Sequence, residues 1–213
     1  MPGVLAPAMQ RVRLERLGLA PYLPTVEAMR KFSARRGADT PDELWLLEHP
    51  PVYTLGLGAD PAHGPRADNG IAVQRVERGG QVTYHGPGQV VLYALVDIGR
   101  RGLGVREFVA MLEQSVIDLL AEHGVRAVRK PGAPGVYVDG AKIAALGLRV
   151  SRGRTFHGLA LNVDVDLAPF AAIDPCGYPG LRVTRLRDLG VMQSCAEAGE
   201  RLAEILLARL AHA

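Results

Sequence analysis

Long apolar runs are missing from this chain of 213 residues. None approaches the roughly 20 residues that a membrane-crossing helix needs, so no span is expected. The opening MPGVLAPAMQ lacks the basic start and long apolar stretch of a secretory leader, which points to the cytoplasm. Cysteine is scarce. The two thiols, Cys176 in a Pro/Gly loop and Cys195 at the start of a helical pattern, argue against a disulfide framework. Aromatic residues make up only 5% and are not interleaved with the basic ones, so no nucleic-acid surface is expected. The six histidines stand singly, with neither an HExxH string nor paired-cysteine spacing, which argues against zinc or iron. There is also no GxxxxGK[ST] and no GxSxG, which removes phosphate-loop NTPases and nucleophile-elbow hydrolases.

What is present is the composition of an ordinary globular protein. Hydrophobic residues at 48% against 22% charged suffice for one core at this length, so residues 1–213 are expected to form a single domain. The formal charge is +3 and the isoelectric point near 9.1, with arginines clustered at Arg149, Arg152 and Arg154 and at Arg182, Arg185 and Arg187. Such clusters either steer an acidic partner or simply keep the surface solvated.

Residues 25–36 place Val26, Met29 and Phe32 three apart and predict a helix ending at Gly37. The period then changes. Short apolar or alternating runs at 44–47, 52–55, 71–76, 82–85 and 90–98, separated by Pro, Gly and Asn, predict strands and turns. Residues 105–123 return to helical spacing with Gly124 as a terminator. Further strands are expected at 125–128, 136–138, 143–150 and 155–163, with a tight turn at Asp139-Gly140 and another at 151–154. Ser194 and Glu197 form a capping-box signature before a last helix. Together these predict an α+β domain, with helices flanking a mixed, largely antiparallel sheet. Residues 61–70, rich in Pro, Gly, Asp and Asn, read as a mobile surface loop.

Four segments concentrate reactive side chains. In Arg78-Gly79-Gly80-Gln81-Val82-Thr83-Tyr84-His85-Gly86-Pro87-Gly88-Gln89, the glycines allow close backbone approach to a ligand. Glycines alone would suit a plain turn, but the polar side chains around them favour a site. In Asp174-Pro175-Cys176-Gly177-Tyr178-Pro179-Gly180, a thiol sits in a rigid loop, where it is either a nucleophile or an inert buried cysteine. A thiol attacks only as thiolate, so a neighbouring cation or base is required, with Lys142, His85 and His157 as candidates. Lys142 follows the Asp139-Gly140 turn on a strand of small and apolar residues, where it could exchange a proton or, as an edge lysine, merely reach water. In His157-Gly158-Leu159-Ala160-Leu161-Asn162, a strand glycine makes room for a ligand or another backbone.

These residues, with Leu47-Glu48-His49-Pro50, Val52-Tyr53-Thr54 and Lys142-Ile143-Ala144-Ala145-Leu146-Gly147, closely resemble the octanoyltransferases of lipoate biosynthesis, also called lipoyl(octanoyl) transferases. The resemblance covers about residues 44–190, and RGGxxTYHGPGQ is its most specific string. It implies the fold of the biotin and lipoate protein ligase catalytic domains. It implies Cys176 as the acyl-accepting nucleophile paired with Lys142, and substrate binding by Arg78 to His85, by Ala145, Leu146 and Gly147, and by Gly158, Leu159 and Ala160. The donor it implies is octanoyl-acyl carrier protein, with no cofactor beyond the carrier's own phosphopantetheine. The acceptors it implies are lipoyl domains of 2-oxoacid dehydrogenase complexes and the glycine cleavage H protein, and a monomer is the default expectation. Ala145 departs from the serine of many relatives, while the first 20 residues and 61–70 match nothing in the family. Two rivals predict different chemistry. An ATP-dependent ligase on the same fold would carry a GRGRxG or RRxSGGGxVxHD loop instead, and a non-catalytic carrier-binding protein would not need Cys176 and Lys142 together.

Overall fold

The computed structural model describes residues 12–66 and 68–213, the side chain of Cys176 excepted. The MPGVLAPAMQ segment therefore lies outside the described residues. Ten strands and three α-helices follow the chain among those residues. They are β1 Arg13–Leu19, α1 Tyr22–Arg35, β2 Glu43–Glu48, β3 Val52–Leu55, β4 Ala72–Arg75, β5 Val82–His85 and β6 Gln89–Leu95. Then come α2 Val105–Glu122, β7 Val128–Arg129, β8 Gly135–Val138, β9 Ala141–Ser151, β10 Arg154–Asn162 and α3 Cys195–Ala211. Seven strands form a sheet in the order β1-β2-β6-β10-β9-β8-β7, and three form a smaller one, β4-β3-β5. Only β1 with β2 and β3 with β4 are parallel, so the predicted mixed, largely antiparallel character holds.

Alternation along the central strands sends side chains to two cores. On one face Leu44, Leu92 and Leu161 pack under α2 and α3 through Leu112, Leu119 and Leu206. On the other, Trp45, Tyr93 and Leu95 meet Tyr22, Val26 and Met29 of α1. A third cluster, around Tyr53, Tyr84 and Phe170, fills the small sheet.

Several boundaries differ from the sequence reading, each for a physical reason. α1 starts at Tyr22, before Pro24, because proline is tolerated in the first turn, where no intrahelical N–H is required. β1 carries almost no buried side chains and so gives no periodic signal; it exists through backbone pairing with β2. The strand expected at 125–128 shrinks to Val128–Arg129. At α3, Ser194 Oγ accepts the Glu197 N–H at 3.2 Å and Glu197 Oε2 accepts the Ser194 N–H at 2.8 Å, as the capping signature required.

The loop at 61–70 is tethered rather than loose. Its Arg66 N–H donates to Ala172 O at 2.9 Å, Asn69 Nδ2 donates to the Tyr53 hydroxyl at 2.9 Å, and the Arg66 guanidinium pairs with Asp174. Polar composition predicted the surface position but not these long-range partners.

Asp42, fully buried before β2, ties the frame together. Arg36 Nη2 at 2.5 Å, Arg100 Nη2 at 2.8 Å and Arg101 Nε at 2.8 Å all donate to its carboxylate, as does the Asp97 N–H at 2.9 Å. Burial alone would raise this carboxyl group's pKa, but the hydrogen bonds from Asp97, Arg36 and Arg101 outweigh it and leave it below the usual range. Removing the anion would strand buried guanidinium charge, which costs about 3–5 kcal/mol. Asp42→Ala is therefore expected to lower the melting temperature by roughly 10 °C or more in a chain of this size, as read by thermal denaturation.

Candidate active site

The site begins where the large sheet runs out of strand. β8 pairs with β9 only as far as Gly135 opposite Ala145, while β9 continues to Ser151. Beyond that point the outer edge of β9 receives the glycine turn of the 78–85 segment, whose Gly79 N–H donates to Leu148 O at 2.8 Å. Small residues make this approach possible. A Cβ at Gly147 would lie 3.0 Å from Gly79 O and from Arg78 Cδ, and one at Gly158 would lie 2.1 Å from Leu92 O. The strands can close up here only if these positions are glycine.

Between the glycine turn, β9 and β10 lies a cavity of about 440 Å³. All three sequence-predicted binding segments border it, with one exception. Tyr84 turns away into the third core cluster, its ring 5.5 Å from Tyr53 and 5.4 Å from Phe170. Arg78 runs along the wall, buried, with Nη2 donating to Thr54 O at 2.7 Å and Nη1 to Gly79 O at 2.9 Å.

Lys142 is 3% exposed, so the alternative of an edge lysine reaching water fails. At this point strand β9 has Tyr137 of β8 on one side and Val183 on the other, and Lys142 Nζ donates to Pro134 O at 2.9 Å and lies 5.2 Å from the Tyr137 ring centre. The backbone of Lys142 also holds the segment that follows Cys176: its N–H donates to Arg182 O at 2.8 Å and its carbonyl accepts from Thr184 at 3.0 Å.

Cys176 occupies the single 3₁₀ turn Pro175–Gly177; its side chain lies outside the described residues. The Gly177 N–H closes the turn on Asp174 O at 2.8 Å, and a Cβ on Gly177 would lie 3.1 Å from Gln81 Cγ, so this turn abuts the glycine-turn segment. Asp174 anchors the turn from outside. His63 Nδ1 at 3.1 Å and Arg66 hold its carboxyl group below the usual range, the His63 hydrogen bond contributing most. Cys195 is a poor nucleophile by contrast, since burial and then Glu48 push its thiol up to about 12.

The enclosed end of the cavity is polar, which the sequence reading did not foresee. Tyr22, His85, Tyr93 and His157 border it, all buried. Beside them His49 donates from Nδ1 to Ala20 O at 2.6 Å and meets the Tyr93 hydroxyl through Nε2 at 2.7 Å. His85 donates from Nδ1 to Gln89 Oε1 at 2.7 Å, and Gln89 Nε2 donates to Asn162 Oδ1 at 2.9 Å. Burial, the largest cause in each case, lowers His49 to about 4 and His85 and His157 to about 3, with the Arg78 charge adding to the shift at His157. His85 and His157, weighed as partners for the Cys176 thiol, are therefore neutral and very weak bases near pH 7. Tyr22, His49 and Tyr93 were not among the sequence-predicted site residues. The available signal was Tyr93 as the one hydroxyl-bearing residue in the apolar run 90–98, and His49 within the Glu48-His49-Pro50 string.

A mostly buried recess lined by glycine, alanine, valine and leucine suits a slender, flexible apolar chain, and the protein class this defines is an acyl-handling enzyme. Residues 22–206 match the lipoyl protein ligase A/B catalytic domain family. The octanoyltransferase of Aromatoleum aromaticum is 63% identical over 189 residues, covering 89% of this chain and 81% of that protein. That of Dechloromonas aromatica is 57% identical, covering 92% of this chain and 96% of its own. Among solved structures, lipoate-protein ligase A bound with ATP superposes with a TM-score of 0.72 at 18% identity over 95% of this chain and 93% of its own. A bipartite lipoate protein ligase from Thermoplasma acidophilum gives 0.68 at 17% identity over 94% and 91%. At that identity these two structures bear on the fold alone. The chain belongs to the lipoyl protein ligase A/B catalytic domain family, within its octanoyltransferase branch. It is accordingly an acyltransferase of lipoyl or octanoyl transfer in lipoate biosynthesis.

Three buried neutral histidines set an acid limit on the fold. Unfolded, they take up protons as pH falls through about 6.5; folded, only near 3 to 4. The unfolded state thus binds more protons across that window, and stability falls with falling pH by about 1.4 kcal/mol per unit for each histidine. The melting temperature should drop steeply from pH 7 to 5, and His49→Gln should show a shallower slope. A flat profile in that range would contradict neutral burial.

Proposed function

We propose that this protein moves an octanoyl group from acyl carrier protein to the lysine amine of an apo lipoyl domain, through a thioester on Cys176 with Lys142 as acid and base. This is the first step of endogenous protein lipoylation. The observation that carries the proposal is a buried lysine whose backbone is hydrogen-bonded to the segment just after Cys176 and whose Nζ meets Pro134, which with Tyr178 lines a cavity of acyl dimensions. The wall positions 78–83, 85, 145–147 and 158–160 then bind the substrate.

The donor arrives as a thioester and is already activated, so the route needs no nucleotide. The Cys176 thiolate, paired with the Lys142 ammonium, attacks the carbonyl carbon; the bond to the carrier sulfur breaks, and that sulfur takes the Lys142 proton. The acceptor lysine's amine then attacks the octanoyl-Cys176 carbonyl, its proton passes to Lys142, and Cys176 leaves as thiolate. One side chain returns to its starting state over the two halves. Burial of the chain contributes about 0.8 kcal/mol per CH₂, so a closed recess can discriminate chain length. Lipoyl domains of 2-oxoacid dehydrogenase complexes and the glycine cleavage H protein are the proposed acceptors, reached by a monomer in the cytoplasm. Arg149, exposed on β9, and Arg182, which donates to Asp139 O at 2.6 Å, are candidates to meet their acidic surfaces.

Mixing the protein with octanoyl-acyl carrier protein in the absence of ATP should yield an octanoyl adduct in intact mass spectra, discharged on adding apo lipoyl domain. Cys176→Ala should form none, and Lys142→Gln should lose two to four orders of magnitude in turnover, the range typical of a missing general acid or base. No adduct under any quench, together with an ATP requirement for lipoyl-domain modification, would replace this route by an adenylating one.

A further inference from the structure

Among the polar groups at the enclosed end of the cavity, His157 stands apart. It is 1% exposed, yet neither ring nitrogen has a hydrogen-bond partner among the described residues, whereas His49 and His85 are both engaged. Its backbone is uncommon for a strand as well, with φ at +61° in the middle of β10, the left-handed region that few residues besides glycine enter, histidine, asparagine and aspartate more than others. The paired ladder to β6 begins only at the next residue, Gly158 opposite Tyr93. The ring lies between Phe156, 5.1 Å away, and Tyr93, 5.7 Å away, at the cavity border. A strained backbone that holds a buried, unsatisfied imidazole against a cavity is an arrangement that a ligand completes.

The sheet surface leading there is shallow, because Ala145 and Gly147 of β9 lie opposite Ala160 and Gly158 of β10, so a thin chain can run over these small residues to this end. We infer that His157 is a specificity-determining residue, a polar stop for the far end of the acyl chain, which rejects a longer alkyl end and accepts a medium-chain acyl group bearing a terminal hydroxyl. This rests on the acyl-transfer reading above. A methyl group pressed against His157 supplies neither donor nor acceptor and removes the room a water would need. A hydroxyl in the same place supplies both.

Nonanoyl and 8-hydroxyoctanoyl chains have the same length and differ only in a methyl against a hydroxyl. The test therefore loads octanoyl, nonanoyl and 8-hydroxyoctanoyl groups on acyl carrier protein and measures kcat/KM for each transfer to a lipoyl domain. Wild type should favour 8-hydroxyoctanoyl over nonanoyl, and His157→Leu should lower that ratio by roughly tenfold, the factor carried by one buried polar group losing its partner. His157→Asn, which tolerates the left-handed backbone, should fall between the two and guards against a leucine variant that does not fold. A ratio unchanged in both variants, or a wild type that prefers nonanoyl, overturns the polar stop while leaving octanoyl transfer intact. Failure of wild type to transfer octanoyl from the carrier at all overturns the donor assignment and the polar stop together.

Discussion

The Gly79 N–H that donates to Leu148 O at 2.8 Å joins the small sheet to the open edge of the large one, and the cavity lies where they meet. β9 outruns β8, leaving backbone groups that need partners, and the glycine turn satisfies one of them while bringing Arg78 and Gln81 alongside. The contact is possible because Gly147 has no side chain to keep Arg78 and Gly79 away. A Cβ there would meet Gly79 O and Arg78 Cδ at 3.0 Å, so the glycine turn would have to give way to admit a side chain.

Burial serves opposite purposes at the lysine and at the histidines. Near the cysteine loop, Lys142 keeps its ammonium hydrogen-bonded to Pro134 O beside an aromatic face, a compact charge with its donors directed. At the enclosed end, burial keeps His49, His85 and His157 neutral, so that end recognises dipoles rather than ions. Lys142 lies behind Pro134, which lines the cavity, whereas His85 and His157 line it themselves.

The frame is held separately from this chemistry. Asp42 gathers Arg36, Arg100 and Arg101, and Arg101 Nη1 reaches Leu210 O at the end of α3, so the end of α1, the start of β2, the end of β6 and the last helix meet at one anion. None of these residues borders the cavity. The segment carrying Cys176 is held by a different set, His63 and Arg66 on Asp174 and the Lys142 backbone on Arg182 and Thr184.

The sequence by itself determined whatever depends on local period or on a distinctive string. Strands at 52–55 and 82–85, the helix starting at Val105 and the Ser194 cap were readable because the pattern of apolar residues and caps acts within a few residues. The glycine-rich string, the lysine segment and the cysteine loop could be singled out one by one, because glycine, lysine and thiol carry intrinsic chemistry. Only the tertiary structure decided how they meet. Strand β1 has no side-chain signature, since its reason to exist is a neighbour 30 residues away in the chain. Tyr84 reads like its neighbours but faces the other side of β5, and Tyr22, His49 and Tyr93 join His85 and His157 only when α1 packs on the sheet. Burial, which turns an ordinary histidine into a neutral one, is a property of the assembled core and appears nowhere along the chain.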